Sequence, residues 1–331
     1  YIWFELWIRK TKVTKYDSKD TTHIQYNNFI KNLINFLNNE GFDKPKRLNI
    51  FTSNYDTLFE MTFDKLSKDN RLTYFNDGSR GFFNKYISTE NYHLKISHSG
   101  VSDSFQREIP TINLLKIHGS VTWSNVNDLI KVDFENQSYQ ELCELSDKII
   151  NLINTFNNNP YLENNQLFDP ETYEQSILRT LPNEQRLRDE LDNILKVCPN
   201  EINNFYESYK KFPVVNPTKE KFSDTVFQQH YYQLLRMLSF ELEKKDSVLI
   251  VFGFSFADEH ILEIVRRSIV NPKLKIYVIA YNTAAKDQIK NRLGTLGGNI
   301  VEYLPSITSP DGIEIHGNFP YLNSLFEGRG I

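Results

Sequence analysis

Cysteine is scarce in this sequence, which holds only Cys143 and Cys198 among its 331 residues. Neither cysteine stands in a CxxC pair, so a zinc site built from four cysteines is impossible. A framework of several disulfides is not expected either, because two cysteines can form at most a single disulfide bond. We therefore predict no metal centre in this protein.

Long apolar runs and an excess of positive charge are lacking as well. No run approaches the roughly 18 apolar residues that a membrane-spanning helix needs, and no signal-peptide pattern opens the chain. The formal net charge of -4 provides no overall attraction to nucleic acid or to anionic lipid. We expect a cytoplasmic protein with no membrane partner and no strong direct binding of nucleic acid.

The composition is that of an ordinary globular protein, with 40% hydrophobic and 24% charged residues. Since typical domains have roughly 100 to 200 residues, the length predicts one enlarged domain or a domain with an insertion. The chain opens with Tyr1 inside an aromatic run, and we expect a further N-terminal portion to precede it.

A strand that ends in a polar turn lies near the start of the chain. Leu48, Ile50 and Phe51 favour a strand, and the segment from Thr52 to Asp56 follows with short side chains rich in donors and acceptors. In open parallel sheets, ligands bind outside the carboxyl ends of the strands. Asn54 and Asp56 are therefore candidate site residues.

A helix is predicted directly after this turn. Thr57 and Glu60 have the spacing of a capping box, in which each side chain satisfies a free backbone N–H of the other residue. A purely structural alternative is that Asn54 and Asp56 only form the turn and cap the helix. Polar residues at the ends of other strands favour the functional interpretation.

His118 ends a second predicted strand, from Asn113 to His118, and Gly119 allows a sharp turn after it. At a strand end the imidazole would project into the same crevice as Asn54. It is then a candidate general acid or base. The alternative is a structural histidine held by hydrogen bonds.

The α/β pattern continues in the last third of the chain. The apolar run from Ser247 to Phe256 predicts a central parallel strand covered on both faces, broken at Gly253. Gly253 and Ser255 precede a helix whose N-terminus could bind an anion. The predicted strand from Leu274 to Ala280 ends near Asn282, and a last strand covers Asn299 to Tyr303.

Other segments were assigned from their patterns. An amphipathic helix begins at Ile24 and stops near Gly41, and residues 76–83 are predicted as a loop over the site. The segment 124–211 is predicted as a helical insertion without strands, with helices at Leu142–Phe156 and Asn183–Val197. The resulting domain organisation is a Rossmann-like domain of residues 1–123 and 212–331 with an insertion of residues 124–211.

An ordered set of these motifs resembles the sirtuin fold, and most of all the bacterial sirtuin-like NADases of antiphage defence. The set is found over residues 24–123 and 212–305 and consists of Thr52-Ser53-Asn54-Tyr55-Asp56, Ile117-His118-Gly119-Ser120, Gly253-Phe254-Ser255 and Tyr281-Asn282. The resemblance implies a Rossmann-like parallel sheet of the sirtuin type with a helical insertion.

The same resemblance implies roles for individual residues. Asn54 and His118 match catalytic residues of the family, and Asp56 matches a residue that contacts the nicotinamide end of NAD+. The residues that match the lining of the dinucleotide site are Thr52, Gly253, Ser255 and Asn282.

Two differences from the family bear on function. The glycine-rich phosphate loop that opens the family fold is not in this sequence, and we expect it in the N-terminal portion that precedes Tyr1. The zinc-ribbon cysteines of protein-deacylating sirtuins are also missing, with helical sequence in their place. The resemblance therefore implies cleavage of NAD+ by water rather than deacylation.

Three hypotheses about function stay open at this stage. The first is an NAD+ glycohydrolase that depletes NAD+ in antiphage defence, with NAD+ as substrate and no metal. The second is an NAD-dependent protein deacylase, and the third is a non-catalytic scaffold that binds a nucleotide or a partner. Family resemblance further implies a homo-oligomer and a partner such as a HerA-type ATPase.

Overall fold

The computed structural model describes residues 19–41, 44–157, 199–210, 225–294, 300–305 and 315–327. The chain divides into two compact units, a smaller one of residues 1–12 and 133–212 and a larger one of residues 13–132 and 213–331. The predicted helix Asn183–Val197 lies outside the described residues. So does the segment from residue 212 at which the sequence pattern predicts a return to α/β structure.

The protein is an α/β protein with parallel sheets. Its helices in the described ranges are α1 Thr21–Asn39, α2 Leu58–Ser67, α3 Gln137–Asn157, α4 Pro199–Lys210, α5 Thr225–Glu243, α6 Glu259–Ser268, α7 Thr283–Leu293 and α8 Phe319–Glu327. Short 3-10 helices cover Thr89–His93 and Val101–Asp103.

The strands in the described ranges are β1 Arg47–Thr52, β2 Tyr74–Asn76, β3 Ser79–Arg80, β4 Lys85–Ile87, β5 Ser97–His98, β6 Arg107–Glu108, β7 Thr111–Lys116, β8 Trp123–Val126, β9 Leu129–Val132, β10 Val248–Phe252, β11 Lys275–Ile279 and β12 Val301–Leu304. Two three-stranded parallel sheets have the orders β1-β7-β2 and β10-β11-β12. A four-stranded antiparallel sheet has the order β3-β4-β9-β8, and β5 pairs with β6.

The helix predicted from Ile24 is confirmed as α1. Asp20 caps its N-terminus by accepting hydrogen bonds from the backbone N–H groups of Thr22 and His23, at 2.7 and 3.2 Å. The apolar stripe expected from the i, i+3, i+4 spacing is buried, with Ile30, Leu33, Ile34 and Leu37 in the core. This stripe packs with α2 and the first parallel sheet in one hydrophobic cluster.

A row of asparagine side chains connects the three strands of the first parallel sheet. Asn113 on β7 donates to Asn49 Oδ1 on β1 at 2.7 Å, and Asn76 on β2 donates to Asn113 Oδ1 at 2.9 Å. Asn113 and Asn76 are buried, so a shift of one strand along another would leave buried amides unsatisfied. The row therefore helps to set the register that places the strand ends.

The prediction that the strand after Ser247 is covered on both faces is wrong. Val248 is 56% exposed and Val251 is the only residue of β10 that is buried. The physical reason is that β10 has a neighbouring strand on one side only, since among the described residues it pairs only with β11. Full burial is found instead on β7, which is flanked by β1 and β2.

Observed strands correct two further predictions, that of a helical insertion without strands from residue 124 and that of a loop over residues 76–83. Residues 124–132 form β8 and β9, joined by Asn127 and Asp128 at φ of 52° and 60°, as in a tight hairpin turn. β9 pairs with β4, and both strands belong to the larger unit rather than to a helical insertion. In the segment 76–83, Ser79 and Arg80 form β3 and pair with β4, so the predicted loop is interrupted by one short strand of a hairpin.

The described part of the smaller unit is helical. The predicted helix Leu142–Phe156 is confirmed within α3, and α3 contacts α4. Lys148 Nζ on α3 lies 3.8 Å from Glu201 Oε1 on α4. Within the described ranges, no helix is both long enough and apolar enough to cross a membrane.

Candidate functional site

The register of β1 and β7 brings two predicted site residues to the same edge of the sheet. Thr52 and Lys116 are the last registered pair of these parallel strands. Asn54 and His118 each follow two residues later. Both side chains therefore belong to adjacent turns at the carboxyl edge, where ligands bind in parallel sheets.

Asn54 lies on the exposed side of the first turn. Its backbone N–H donates to Thr52 Oγ1 at 3.0 Å, so the Thr52 side chain shapes the turn. Its side-chain Nδ2 lies 3.5 Å from the hydroxyl oxygen of Tyr26 on α1, at the outer limit for a hydrogen bond. Burial is the largest cause that raises the pKa of Tyr26, and the negative charge of Asp56 raises it further. The hydroxyl of Tyr26 therefore stays neutral.

Asp56 takes part in the start of α2. Its Oδ1 accepts a hydrogen bond from the backbone N–H of Leu58 at 3.0 Å, as the structural alternative for this residue requires. The predicted capping box is wrong, because Thr57 makes no side-chain capping bond and Glu60 is used elsewhere. Glu60 forms an ion pair with Lys116, whose ammonium group supplies a stronger partner than a backbone N–H.

Lys116, the last residue of β7, lies buried beneath the Asn54 turn. Its Nζ is 2.7 Å from Glu60 Oε1, and it also donates to the backbone oxygen of Asp56 and to Ser120 Oγ. Burial raises the pKa of Glu60 above its usual range, and the charge of Lys116 opposes this. The lysine thus connects the turn after β1, helix α2 and the turn after β7.

His118 is held by a carboxylate from the other half of the larger unit. Its Nε2 lies 3.1 Å from Asp258 Oδ2, and the two side chains are only 14% and 7% exposed. Gly119, at φ of 89°, permits the sharp turn that the sequence predicted. Tyr231 on α5 lies beside the imidazole, with ring centroids 6.4 Å apart.

Asp258 has a second role as the N-cap of α6. Its Oδ1 accepts from the backbone N–H groups of His260 and Ile261, at 2.9 and 3.3 Å. The predicted helix after Ser255 is thereby confirmed, with Asp258 as its cap. One oxygen of the carboxylate serves the helix and the other faces His118.

The turn between β10 and Asp258 is strongly constrained. Gly253 has φ of 64°, and a Cβ there would meet no atom within 4 Å, so the backbone angle rather than space requires glycine. Phe256 is also left-handed, at φ of 57°, and is buried in the main hydrophobic cluster. Burial of a bulky residue in this strained conformation fixes the path of the chain that leads to Asp258.

Ser255 and Asn282 lie at the ends of the second parallel sheet. Arg292 on α7 donates to the backbone oxygen of Ser255 at 2.7 Å, and the Ser255 side chain is exposed. Asn282 is the N-cap of α7, where its Oδ1 accepts from Ala285 N at 2.8 Å. Before it, Tyr281 stacks on His316 with centroids 4.8 Å apart.

The predicted site residues thus fall into two groups in the structure. Thr52, Asn54, Asp56 and His118 lie on the turns of two paired strands, whereas Gly253, Ser255 and Asn282 follow β10 and β11. The contact between His118 and Asp258 joins the groups. Sequence reasoning missed Lys116, although a single lysine within an apolar strand is a signal of a buried ion pair.

Within the part of the chain that the structure describes, no group of three or more His, Cys, Asp or Glu side chains is arranged to hold a metal ion. The chain matches no protein-family model, and it has no significant match among curated protein sequences.

Proposed function

We propose that this protein is an NAD+ glycohydrolase with a Rossmann-like domain of the sirtuin type, which cleaves NAD+ to nicotinamide and ADP-ribose. The observation that carries the proposal is the register of β1 and β7. It gives Asn54 and His118 equivalent positions two residues beyond the last pair, Thr52 and Lys116. At one sheet edge, an amide that can orient water and an imidazole that can accept its proton are suited to hydrolysis at a ribose carbon.

The chemistry resembles the hydrolysis of a glycoside. The bond from the ribose C1′ to the nicotinamide nitrogen breaks with its electron pair going to nicotinamide, through a state of oxocarbenium character. Nicotinamide leaves from a cationic form and needs no general acid. Water then forms the new bond to C1′, and its proton passes to His118 or, through His118, to solvent.

Asn54 and His118 have different tasks in this reaction. The exposed Asn54 amide orients water or a ribose hydroxyl by hydrogen bonds. His118 acts as the general base, and its contact with Asp258 restricts the orientation of the ring. Tyr26 stays neutral beside Asn54, so it adds no negative charge that would hold the substrate cation in its ground state.

The remaining predicted residues would hold the rest of the dinucleotide. Thr52 and Asp56 flank Asn54 and are assigned to the nicotinamide end. Gly253, Ser255 and Asn282 are assigned to the other end, where exposed backbone and hydroxyl groups precede two helix N-termini.

We also propose that the protein acts in antiphage defence as a homo-oligomer, with a HerA-type ATPase as a possible class of partner. Family resemblance supports this, and so does the tip of the β3–β4 hairpin, where Phe82 and Phe83 are 99% and 101% exposed. Two adjacent phenylalanines in water are typical of an interaction surface. Light scattering of the wild type and of a Phe82→Ser/Phe83→Ser variant tests this, and an unchanged monomeric mass in both would contradict it.

Product analysis tests the function. The purified full chain, with any partner it needs for activity, is incubated with NAD+, and the products are identified by mass spectrometry. We expect free nicotinamide and ADP-ribose in equal amounts. The deacylase alternative instead requires O-acyl-ADP-ribose in the presence of an acyl-lysine peptide, and the scaffold alternative requires bound, intact NAD+.

The variants His118→Ala and Asn54→Ala provide the matched test of the site. Each should lower nicotinamide release by about 100-fold to 10,000-fold, as removal of a positioned catalytic group does. Asp20→Ala is a suitable control, because it removes a helix cap outside the site. Thermal melts of all three variants show whether they are folded. Wild-type turnover in folded His118→Ala protein would exclude the proposed mechanism.

A further inference from the structure

We propose that Asp258 is a positioning residue that selects the tautomer of His118, so that Nδ1 is the ring nitrogen available as a base. This inference deepens the proposed function, on which its kinetic part rests. It begins from the two tasks of one carboxylate, since Oδ1 caps α6 and Oδ2 faces His118 Nε2 at 3.1 Å.

The carboxylate of Asp258 determines which ring nitrogen of His118 carries the proton. An ionised carboxylate can only accept hydrogen bonds. His118 Nε2 must therefore donate to Asp258 Oδ2, and neutral His118 has its proton on Nε2. Its Nδ1 then carries a free lone pair, and this nitrogen makes no hydrogen bond to any other residue in the described ranges.

Asp258 is itself held firmly in place. Its Oδ1 accepts from two backbone N–H groups, those of His260 and Ile261, so rotation of the carboxylate would break the cap of α6. The preceding turn is fixed by the burial of Phe256. The Asp258 carboxylate, which is 7% exposed, is thus oriented by the backbone of α6. Through its contact with Nε2, it in turn orients the imidazole of His118.

Selection of the tautomer by Asp258 has a consequence that a structural role alone would not have. In Asp258→Asn, the amide oxygen can take over the cap, because asparagine caps helices about as well as aspartate. The atom left facing His118 is then Nδ2, which can only donate. Nε2 must accept, the proton must move to Nδ1, and the base is lost while the fold is kept.

The experiment reads the tautomer directly. Full-length protein labelled with 15N-histidine is studied by long-range 1H–15N correlation at mildly alkaline pH, where imidazole is neutral. The His118 signals are assigned by their disappearance in His118→Gln. We expect the Nε2–H tautomer in the wild type and the Nδ1–H tautomer in Asp258→Asn.

The kinetic measurement is made on the same samples. Asp258→Asn should lower kcat by about 100-fold to 10,000-fold with little change in KM, as loss of the correct tautomer does in other hydrolases. Asp20→Asn, at the corresponding cap of α1, is the matched control and should keep wild-type turnover and melting temperature. The variant Asp258→Ser retains a capping side chain that is too short to reach His118, and it should also lose activity.

The outcomes separate this inference from the proposed function. A wild-type His118 with its proton on Nδ1, or full turnover in Asp258→Asn, would overturn the positioning role, and the wild-type spectrum decides this even where a variant fails to fold. If the tautomer changes as expected but no protein of the set consumes NAD+, the positioning role stands and the proposed glycohydrolase activity is rejected.

Discussion

Asn54 and Asn282 both lie in turns that follow a parallel strand of the larger unit, Asn54 between β1 and α2 and Asn282 between β11 and α7, yet their side chains have different roles. Asn282 Oδ1 accepts from the backbone of α7 at 2.8 Å, so that side chain begins a helix. Asn54 makes no such cap, and among the described residues its amide contacts only the hydroxyl of Tyr26, at 3.5 Å. An asparagine at a strand end therefore indicates a site only where the following helix is capped by another residue.

The turn after β1 meets this condition because of two neighbours. Asp56 accepts a hydrogen bond from the backbone N–H of Leu58 at the start of α2, and Lys116 donates to the backbone of the turn. The Asn54 side chain is therefore not needed to hold the turn or to cap α2. The comparison predicts that changes at Asn54 affect chemistry and changes at Asn282 affect stability, with intermediate effects for the residues that support each turn.

The largest expected effect is on activity at the first turn. If Asn54 and His118 act together on one ribose, the double variant Asn54→Ala/His118→Ala should be scarcely slower than either single variant, each of which loses about 100-fold to 10,000-fold. Nicotinamide release under single-turnover conditions measures this. Losses that multiply in the double variant would show that the two residues act independently and not on one ribose.

The next effect is on stability beneath the same turn. Lys116→Met removes one partner of a buried ion pair and leaves the Glu60 carboxylate without its cation, which should cost about 3 to 5 kcal/mol of unfolding free energy. Urea denaturation measures the loss. The double variant Glu60→Gln/Lys116→Met removes both charges and should recover most of it.

If the double variant Glu60→Gln/Lys116→Met regains stability but not activity, the ion pair has two separate roles. One is its contribution to the stability of the fold, and the other is its support of the Asn54 turn. A Lys116→Met variant as stable as the wild type would show instead that Glu60 takes up a proton at little cost.

The third effect concerns acid. His230 on α5 is buried, its Nε2 has no hydrogen-bond partner among the described residues, and burial lowers its pKa from 6.5 to about 4. Below pH 6.5 the His230 imidazole binds a proton in the unfolded chain, whereas in the folded chain it stays neutral until the pH falls to about 4. The unfolding free energy should therefore fall by up to about 3 kcal/mol between pH 6.5 and pH 4.

This acid effect must be removed before the two turns are compared at different pH. A His230→Leu variant, which keeps the apolar contacts of the site, should lose much less stability over the same pH range. Denaturation curves at several pH values for both proteins measure the difference. Parallel loss of stability in the two proteins would assign the acid sensitivity to other groups.

Local sequence patterns predicted much of this arrangement, and their failures have physical causes. The apolar spacing that predicted α1 and the strand that precedes His118 depend on neighbours in sequence. The burial of β10 depends on which strands pair with it, among the described residues only β11, and no local pattern contains that information. Thr57 and Glu60 have the spacing of a capping box, but a lysine 56 positions further along the chain binds Glu60 instead.

The pairing of His118 with Asp258 could not be read from the sequence for the same reason, since 140 positions separate the two residues. What the sequence did contain was each half of the contact, a histidine before Gly119 and an acidic residue at a helix start. Only the fold brings the halves together.

The smallest expected effect is at the second turn. Asn282→Ala removes the cap of α7 and should lower the unfolding free energy by about 1 kcal/mol, whereas Asn282→Asp should keep it, because either side chain accepts the hydrogen bond from Ala285 N. Asn54→Ala is the matched change at the first turn and should cost less than about 0.5 kcal/mol, since its exposed side chain caps nothing. Denaturation curves for the three variants and the wild type measure the order. If Asn54→Ala proved the more destabilising of the two alanine variants, Asn54 would be a structural residue of its turn, and the distinction between the two asparagines would fail.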